Sequence, residues 1–413
     1  MMVPAKSISG RMAAFLLACG FTTGCFERPA PAPDADAIAG CFVNPTSERF
    51  VTLRTLPPDT ARVNVALSAR RIVAAASVNA AAGDSAILRQ EWLDDTAGVR
   101  YCMGFQTPRR LAVDTAYPLI IYLHGGSGTE RNDKGDSAVR MLTDLADTFD
   151  LFLASPSANR YTPWWSPAGL SRILQTLRYM TLHYPINPSK VFLAGVSDGA
   201  TGCYAAANTI PGPFAGFIAV SGFGGMLPMV GMPLSPGNMA QRPIYNVNAG
   251  HDRIYPIEQV KKFVEALREQ GVPITATYYP DEQHGFDYRA KEMGALAWLI
   301  RSWSRPVRAA IDWTFIDGFP NLPDNLLSWT IDSVDAAIRG RWQGDTLVIN
   351  ERGLRSITAI FPQFSSSKLV CSLRSGRVRF IAAAPLAWPD NLHLMLHRCM
   401  PGLTGGVIYK IKI

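Results

Sequence analysis

Within 413 residues the chain carries no run of five or more basic residues, and no apolar run reaches the ~20 residues needed to cross a bilayer. The first absence removes the electrostatic footprint of nucleic-acid binding, because the formal charge of +7 is spread as scattered arginines over the whole length. The second leaves no transmembrane helix to account for. Charge is scarce as well, at 18% against 48% hydrophobic residues, a balance that supports a sizeable core and argues against disorder. Cysteine is sparse: beyond residue 25 there are Cys41, Cys102, Cys203, Cys371 and Cys399. Proximity in sequence suggests pairing Cys41 with Cys102 and Cys371 with Cys399, leaving Cys203 free, although spacing alone cannot settle connectivity. No metal is expected. His393, Met395, His397 and Cys399 alternate along one strand face, but no second cluster completes a four-ligand zinc site. No cofactor motif is evident either.

The amino terminus has the layout of an export signal, residues 1–25. Lys6 and Arg11 form a positive end, Met12 to Phe21 an apolar core, and Thr22-Thr23-Gly24-Cys25 a small-residue site. Ending on cysteine, it is similar to a bacterial lipoprotein signal in which Cys25 is lipidated and attaches the protein to a membrane; Thr22 stands where that pattern has leucine, so cleavage without lipid stays open. The expected location is outside the cytoplasm, periplasmic or on the cell surface, or secreted. Residues 26–40, rich in proline and alanine, read as an extended linker. Residues 41–100 carry no clean period and receive no chemistry.

From Tyr101 short apolar runs alternate with amphipathic stretches. The runs are Tyr117–Leu123, Leu151–Ala154, Val191–Ala194, Phe217–Val220, Ile244–Val247 and Ile274–Tyr279; the helical stretches are Asp136–Phe149, Leu170–His183, Ile257–Glu269 and Arg289–Trp303. Such alternation predicts an α/β fold over 101–305, a mostly parallel sheet covered by helices on both faces. After Arg305-Pro306 the pattern becomes short strands split by turn residues, which predicts a small all-β, sandwich-like domain over 306–413.

Gly195-Val-Ser197-Asp-Gly199 follows the Val191 run and reads as a sharp strand-to-helix turn with the Ser197 hydroxyl at its apex. The pentapeptide is common by chance, so its partners decide its meaning. Asp252, in Asn248-Ala-Gly-His-Asp-Arg253, follows the Ile244 run, and His284, in Pro280-Asp-Glu-Gln-His-Gly-Phe286, follows the Ile274 run. Serine, acid and histidine therefore come in the α/β-hydrolase order, on loops at the carboxyl edge of one sheet. Asp281, Glu282 and His251 compete for the acid and base roles, but Asp281 and Glu282 lie on the loop of His284 and His251 adjoins Asp252. Gly125 or Gly126, after His124, and the residue after the nucleophile, Asp198, are placed to offer backbone N–H groups to an oxyanion, the Asp198 carboxylate having no assigned part. Tyr161-Thr-Pro-Trp164-Trp165 lies on the same edge and is a candidate substrate platform, with one tryptophan expected in the site and one in the core.

Tyr117 to Gly128, Trp164 to Pro167, Ile186 to Gly199, Asn248 to Pro256 and Tyr279 to Phe286 together resemble the exported bacterial α/β-hydrolases grouped with poly(3-hydroxybutyrate) depolymerases, feruloyl esterases and prolyl-oligopeptidase-like peptidases. The resemblance implies Ser197 as nucleophile, Asp252 and His284 as its partners, and hydrolysis of a small or polymeric carboxylic ester. A serine peptidase is the nearest alternative, weighed down by the lack of room for a gating propeller before the catalytic region. A non-catalytic surface binding protein on a hydrolase scaffold is the alternative from another class.

Overall fold

The computed structural model describes residues 88–362, apart from 109–110, 112–114, 141, 306–309, 325 and 344–345, together with 368–372, 378–381 and 406–412. The signal, Cys25, the linker, Cys41, Cys399 and the His393–Cys399 strand lie outside the described residues.

An eight-stranded sheet organises the chain. Its strands are β1 (Leu88–Asp94), β2 (Arg100–Gln106), β3 (Tyr117–Leu123), β4 (Phe152–Pro156), β5 (Ile186–Val196), β6 (Gly216–Val220), β7 (Ile244–Ala249) and β8 (Ile274–Tyr279), in spatial order β1-β2-β4-β3-β5-β6-β7-β8. From β4 to β8 neighbours run parallel, and β2 joins antiparallel to both β1 and β4. The central strands read as continuous apolar runs because both of their faces are covered. Along β3, Leu119, Ile121 and Leu123 enter one core while Ile120 and Tyr122 enter the other. On the first face pack α3 (Pro167–His183), α4 (Asp198–Thr209) and α6 (Ile257–Glu269), through residues such as Ile173, Cys203 and Val264. On the second pack α1 (Lys134–Arg140), α2 (Thr143–Phe149) and α7 (Tyr288–Ser302), through Val139, Ala146 and Leu299. This is the fold of an α/β-hydrolase.

Three expectations are corrected. The catalytic region does not begin at residue 101, because β1 completes its sheet from Leu88. This strand is hard to read because it lies at the sheet edge and has mostly polar side chains. The predicted helix 136–149 is two helices, α1 and α2, and the predicted Cys41–Cys102 disulfide is not formed, Cys102 being a buried free thiol. Cys203 is also a buried free thiol, as expected.

Beyond the catalytic sheet, β9 (Ile311–Thr314), β11 (Ala337–Gln343), β12 (Thr346–Arg352), β14 (Lys368–Ser372) and β15 (Val378–Ile381) form one sheet. A three-stranded antiparallel sheet joins β10 (Leu326–Ile331), β13 (Leu354–Pro362) and β16 (Gly406–Lys412).

The first of these sheets is bolted to the catalytic region. The Asn238 amide, in the short helix α5 (Pro236–Met239), bridges the carbonyls of Asn208 and Thr314 at 2.9 and 2.8 Å, while its oxygen accepts from the Thr314 N–H at 2.9 Å. Leu322 N–H reaches the Thr209 carbonyl at 2.7 Å. Arg242, fully buried, pairs with Asp324 at 2.8 Å and donates to the carbonyls of Gln241 and Gly212. Removing one member of such a pair strands the other charge in a dry site. Arg242→Ala is therefore expected to cost about 3–5 kcal/mol. Urea unfolding reads this directly, and a loss below ~1 kcal/mol would show that this buried pair couples no more strongly than an exposed one.

Candidate active site

Strand register brings the candidate residues to one edge. Leu123 of β3 pairs with Gly195 of β5, and Val196 pairs with Val220 of β6, so the loops after β3, β5 and β6 leave side by side. Asp252 and His284 follow β7 and β8, whose last paired residues are Ala249 and Tyr279.

The turn at Ser197 is as tight as its glycines suggest. A Cβ on Gly195 would lie 2.4 Å from the Gly199 carbonyl carbon, and one on Gly199 would lie 1.9 Å from the Leu123 carbonyl oxygen. No larger residue fits either position without moving backbone. Ser197 itself sits at φ 55°, ψ −119°, a conformation that costs a non-glycine residue about 1–3 kcal/mol. Hydrogen bonds hold it there: Ser197 N–H donates to the Val220 carbonyl at 2.9 Å and its own carbonyl accepts from Thr201 N–H at 3.1 Å.

His284 Nε2 lies 2.9 Å from Ser197 Oγ, and His284 Nδ1 lies 2.8 Å from Asp252 Oδ2. The other carboxylate oxygen of Asp252 accepts the N–H groups of Ile254 and Tyr255 at 2.8 and 2.9 Å. With its side chain fully buried and its oxygens so engaged, Asp252 acts as a fixed acceptor for Nδ1–H. That assigns the tautomer with Nε2 free to accept from the serine hydroxyl. The competitors are placed elsewhere: Glu282 pairs with Lys291 at 2.7 Å, and His251 is exposed with its N–H on the Glu282 carbonyl.

The loop after β3 passes directly over Ser197, since a Cβ on Gly125 would be 3.1 Å from Ser197 Cβ. His124 Nε2 accepts the Ala158 N–H at 3.0 Å, so its proton is on Nδ1, which donates to the Gly125 carbonyl at 2.9 Å. A trans peptide points its C=O and N–H in opposite directions. Tying back the Gly125 carbonyl therefore turns the Gly126 N–H away from His124. Lys134 Nζ holds the Gly126 carbonyl. Asp198 heads α4, where an N–H has no intrahelical acceptor and is available to an anion.

Of the two tryptophans, one expected in the site and one in the core, Trp164 is the core member, which corrects its candidacy as a substrate contact. Trp164 is fully buried, with its indole N–H on the His124 carbonyl at 2.9 Å and its ring edge-on to His124, so it props the loop from below and cannot meet substrate. Gly202 sits against it so closely that a Cβ would come within 2.4 Å of Trp164 Cβ. Trp165 is half-buried and packs on the same core, while Tyr161 is exposed and shares a surface cluster with Arg160 and Glu130.

Sequence reasoning missed a wall of the site. The Tyr255 ring meets His284 at 5.7 Å and Phe223 at 6.3 Å, and its hydroxyl contacts Met226 Sδ at 4.0 Å. Position carried a signal, because Phe223 follows the β6 edge and Tyr255 follows the acid on its own loop. The segment 222–242 folds as a 3-10 turn over Gly224–Val230 and then α5, with Leu227, Met232 and Met239 buried. Among the described residues no cluster of three His, Cys, Asp or Glu side chains is placed to hold a metal ion.

Residues 162–308 match the model of the dienelactone hydrolase family. No curated protein matches the chain. Among solved structures it is similar to a thermostable esterase at 21% identity, over 53% of this chain and 63% of that one, with a TM-score of 0.42. A ferulic acid esterase matches at 14% identity, over 53% and 99% of the two chains, with a TM-score of 0.44. The Pyrococcus horikoshii acylaminoacyl peptidase matches at 12%, over 54% and 43%, with a TM-score of 0.43. The matched part therefore spans less than two thirds of that thermostable esterase and less than half of the peptidase.

Burial, opposed by the hydrogen bond to the Gly125 carbonyl, lowers the His124 pKa from 6.5 to about 4; the Lys134 charge lowers it further and the Asp198 charge raises it. Between those values the unfolded chain binds the extra proton. The stability supplied by the neutral ring is thus complete above pH ~6.5 and is lost as pH falls toward 4, by up to about 3 kcal/mol at ~1.4 kcal/mol per pKa unit. Urea midpoints of the wild type should fall across that window, and His124→Gln should flatten the fall. Parallel profiles for the two proteins would show that another group is responsible.

Proposed function

We propose that this protein is an exported serine hydrolase that cleaves carboxylic esters through an acyl-enzyme. The observation that carries the reading is the relay of Ser197 Oγ, His284 and buried Asp252 at 2.9 and 2.8 Å, beneath the loop after β3. Ser197 Oγ attacks the ester carbonyl as its proton passes to His284 Nε2. Asp252 stabilises the imidazolium without taking the proton. The carbonyl oxygen gains the negative charge and accepts from Gly126 and Asp198 N–H groups. Collapse of this adduct breaks the ester C–O bond, and the alcohol leaves with the proton from Nε2. Water then repeats the sequence in reverse and releases the acid.

The acyl group meets Tyr255 and Phe223 on the His284 side, with Trp165 and Tyr161 as the remaining candidate contacts. Export rests on the signal-like residues 1–25, and membrane attachment on lipidation of Cys25. Among the described residues no helix is long and apolar enough to cross a membrane. No cofactor takes part in this scheme.

Three measurements test it. Wild-type protein should label with a fluorophosphonate probe and turn over p-nitrophenyl esters, Ser197→Ala should do neither, and Asp252→Asn should lower kcat by about 10³–10⁴ through the wrong histidine tautomer. Peptidyl anilide turnover with negligible ester turnover would replace the esterase by a peptidase. Folded wild type that fails to label would leave a binding protein on a hydrolase scaffold.

A further inference from the structure

We propose that the Asp198 side chain is a positioning residue that sets the spacing of the two halves of the oxyanion hole. The proposal rests on the reading of Ser197 as nucleophile and assigns a task to the neighbouring carboxylate. One oxygen of that carboxylate, Oδ2, accepts both the N–H and the Oγ–H of Ser127, at 2.7 and 2.8 Å. Ser127 is buried and is the residue after Gly126.

An acidic residue in the first turn of a helix usually needs no further explanation, because it offsets the positive end of the helix dipole. Asp198 does more than that. Its bonds cross to a loop 71 residues away in sequence, and they reach the peptide next to the one whose N–H is turned away from His124 and is assigned to the oxyanion. The carbonyls on this loop are held from the loop's own side, Gly125 by the His124 ring and Gly126 by Lys134. Those contacts fix which way each peptide faces. They leave open how far the loop stands from the Ser197 turn. Asp198 closes that distance, since its backbone N–H is one donor of the hole and its side chain ties down the segment bearing the other.

The geometric demand on such donors is strict. They must lie about 2.7–3.1 Å from the oxygen as it becomes negative, a position different from that of the substrate carbonyl. A loop released from Asp198 still admits substrate but meets the oxyanion less well. The loss therefore falls on the transition state and spares the ground state.

The test compares wild type, Asp198→Ala, Asp198→Asn, Ser127→Ala and Ser197→Ala in ester hydrolysis. It also measures inhibition by a trifluoromethyl ketone, whose adduct with Ser197 carries an oxyanion, and by the corresponding methylene compound, which forms none. Asp198→Ala should lower kcat by about 10–100-fold, weaken the trifluoromethyl ketone by the same factor, and leave KM and the methylene compound within about twofold. Asp198→Asn, whose amide oxygen still accepts both bonds, should recover most of the loss. Ser127→Ala should lie between, and it carries the same comparison should Asp198→Ala fail to fold. Equal weakening of both inhibitors would reveal a structural role only and overturn the proposal. So would ketone affinity and kcat within twofold of wild type in Asp198→Ala or, where that variant does not fold, in Ser127→Ala. In either case Ser197→Ala remains inactive and the hydrolase reading stands. Folded wild type that neither binds the ketone nor hydrolyses ester overturns both.

Discussion

Everything at the active edge follows from one backbone constraint: Ser197 must hold φ 55° between a strand and a helix that nearly touch. The conformation is unfavourable for serine and survives because its surroundings leave no alternative. Val220 takes its N–H, Thr201 takes its carbonyl, and the Leu123 carbonyl crowds the first turn of α4 where only glycine fits. Strain of this kind has to be balanced by packing elsewhere. The balance here comes from a sheet buried on both faces, which fixes β3, β5 and β6 in register and so fixes where their loops emerge.

The same constraint explains why the loop after β3 needs so many anchors. A chain passing within contact of Ser197 has almost no room to be wrong. Each of the three peptides from His124 to Ser127 is held: Trp164 takes the His124 carbonyl, the His124 ring the Gly125 carbonyl, and the last is held at both ends, its Gly126 carbonyl by Lys134 and its Ser127 N–H by Asp198. His124 can serve only while neutral, because one ring nitrogen must accept from Ala158 as the other donates. Burial supplies that neutrality. A desolvated histidine is thus put to structural use beside a second histidine, His284, whose part depends on accepting a proton.

The chemistry was legible in the sequence to a greater extent than the surroundings that hold it. Ser197, Asp252 and His284 could be found because each sits just after an apolar run, where loop position and residue type together are informative. Trp164 and Tyr255 show the limit. Both are aromatic residues near a strand end, yet one is a buried prop and the other faces His284. That difference depends on side-chain direction, which periodicity does not carry. The edge strand β1 was unreadable for a related reason: with few apolar residues it has no alternation to detect. Asp198 was given only a backbone part because its partner, Ser127, lies far away in sequence, and a single chain holds no trace of such a pair.

The appended sheets also bear on the Ser197 turn, by way of α4. Asp198 begins that helix at the active edge, and Asn208 and Thr209 end it against Asn238 and Leu322. Asn238 carries the connection on to Thr314 of β9, and Arg242 with Asp324 seals it a few residues away. The helix is short and nearly all of it is buried, so a shift at one end has little slack in which to dissipate before the other. The end that bears Ser197 is held in a strained turn and therefore gains most from a rigid support. The C-terminal module thus braces the far end of α4 through buried polar groups, with Ile316 and Leu322 adding apolar contacts to the same core.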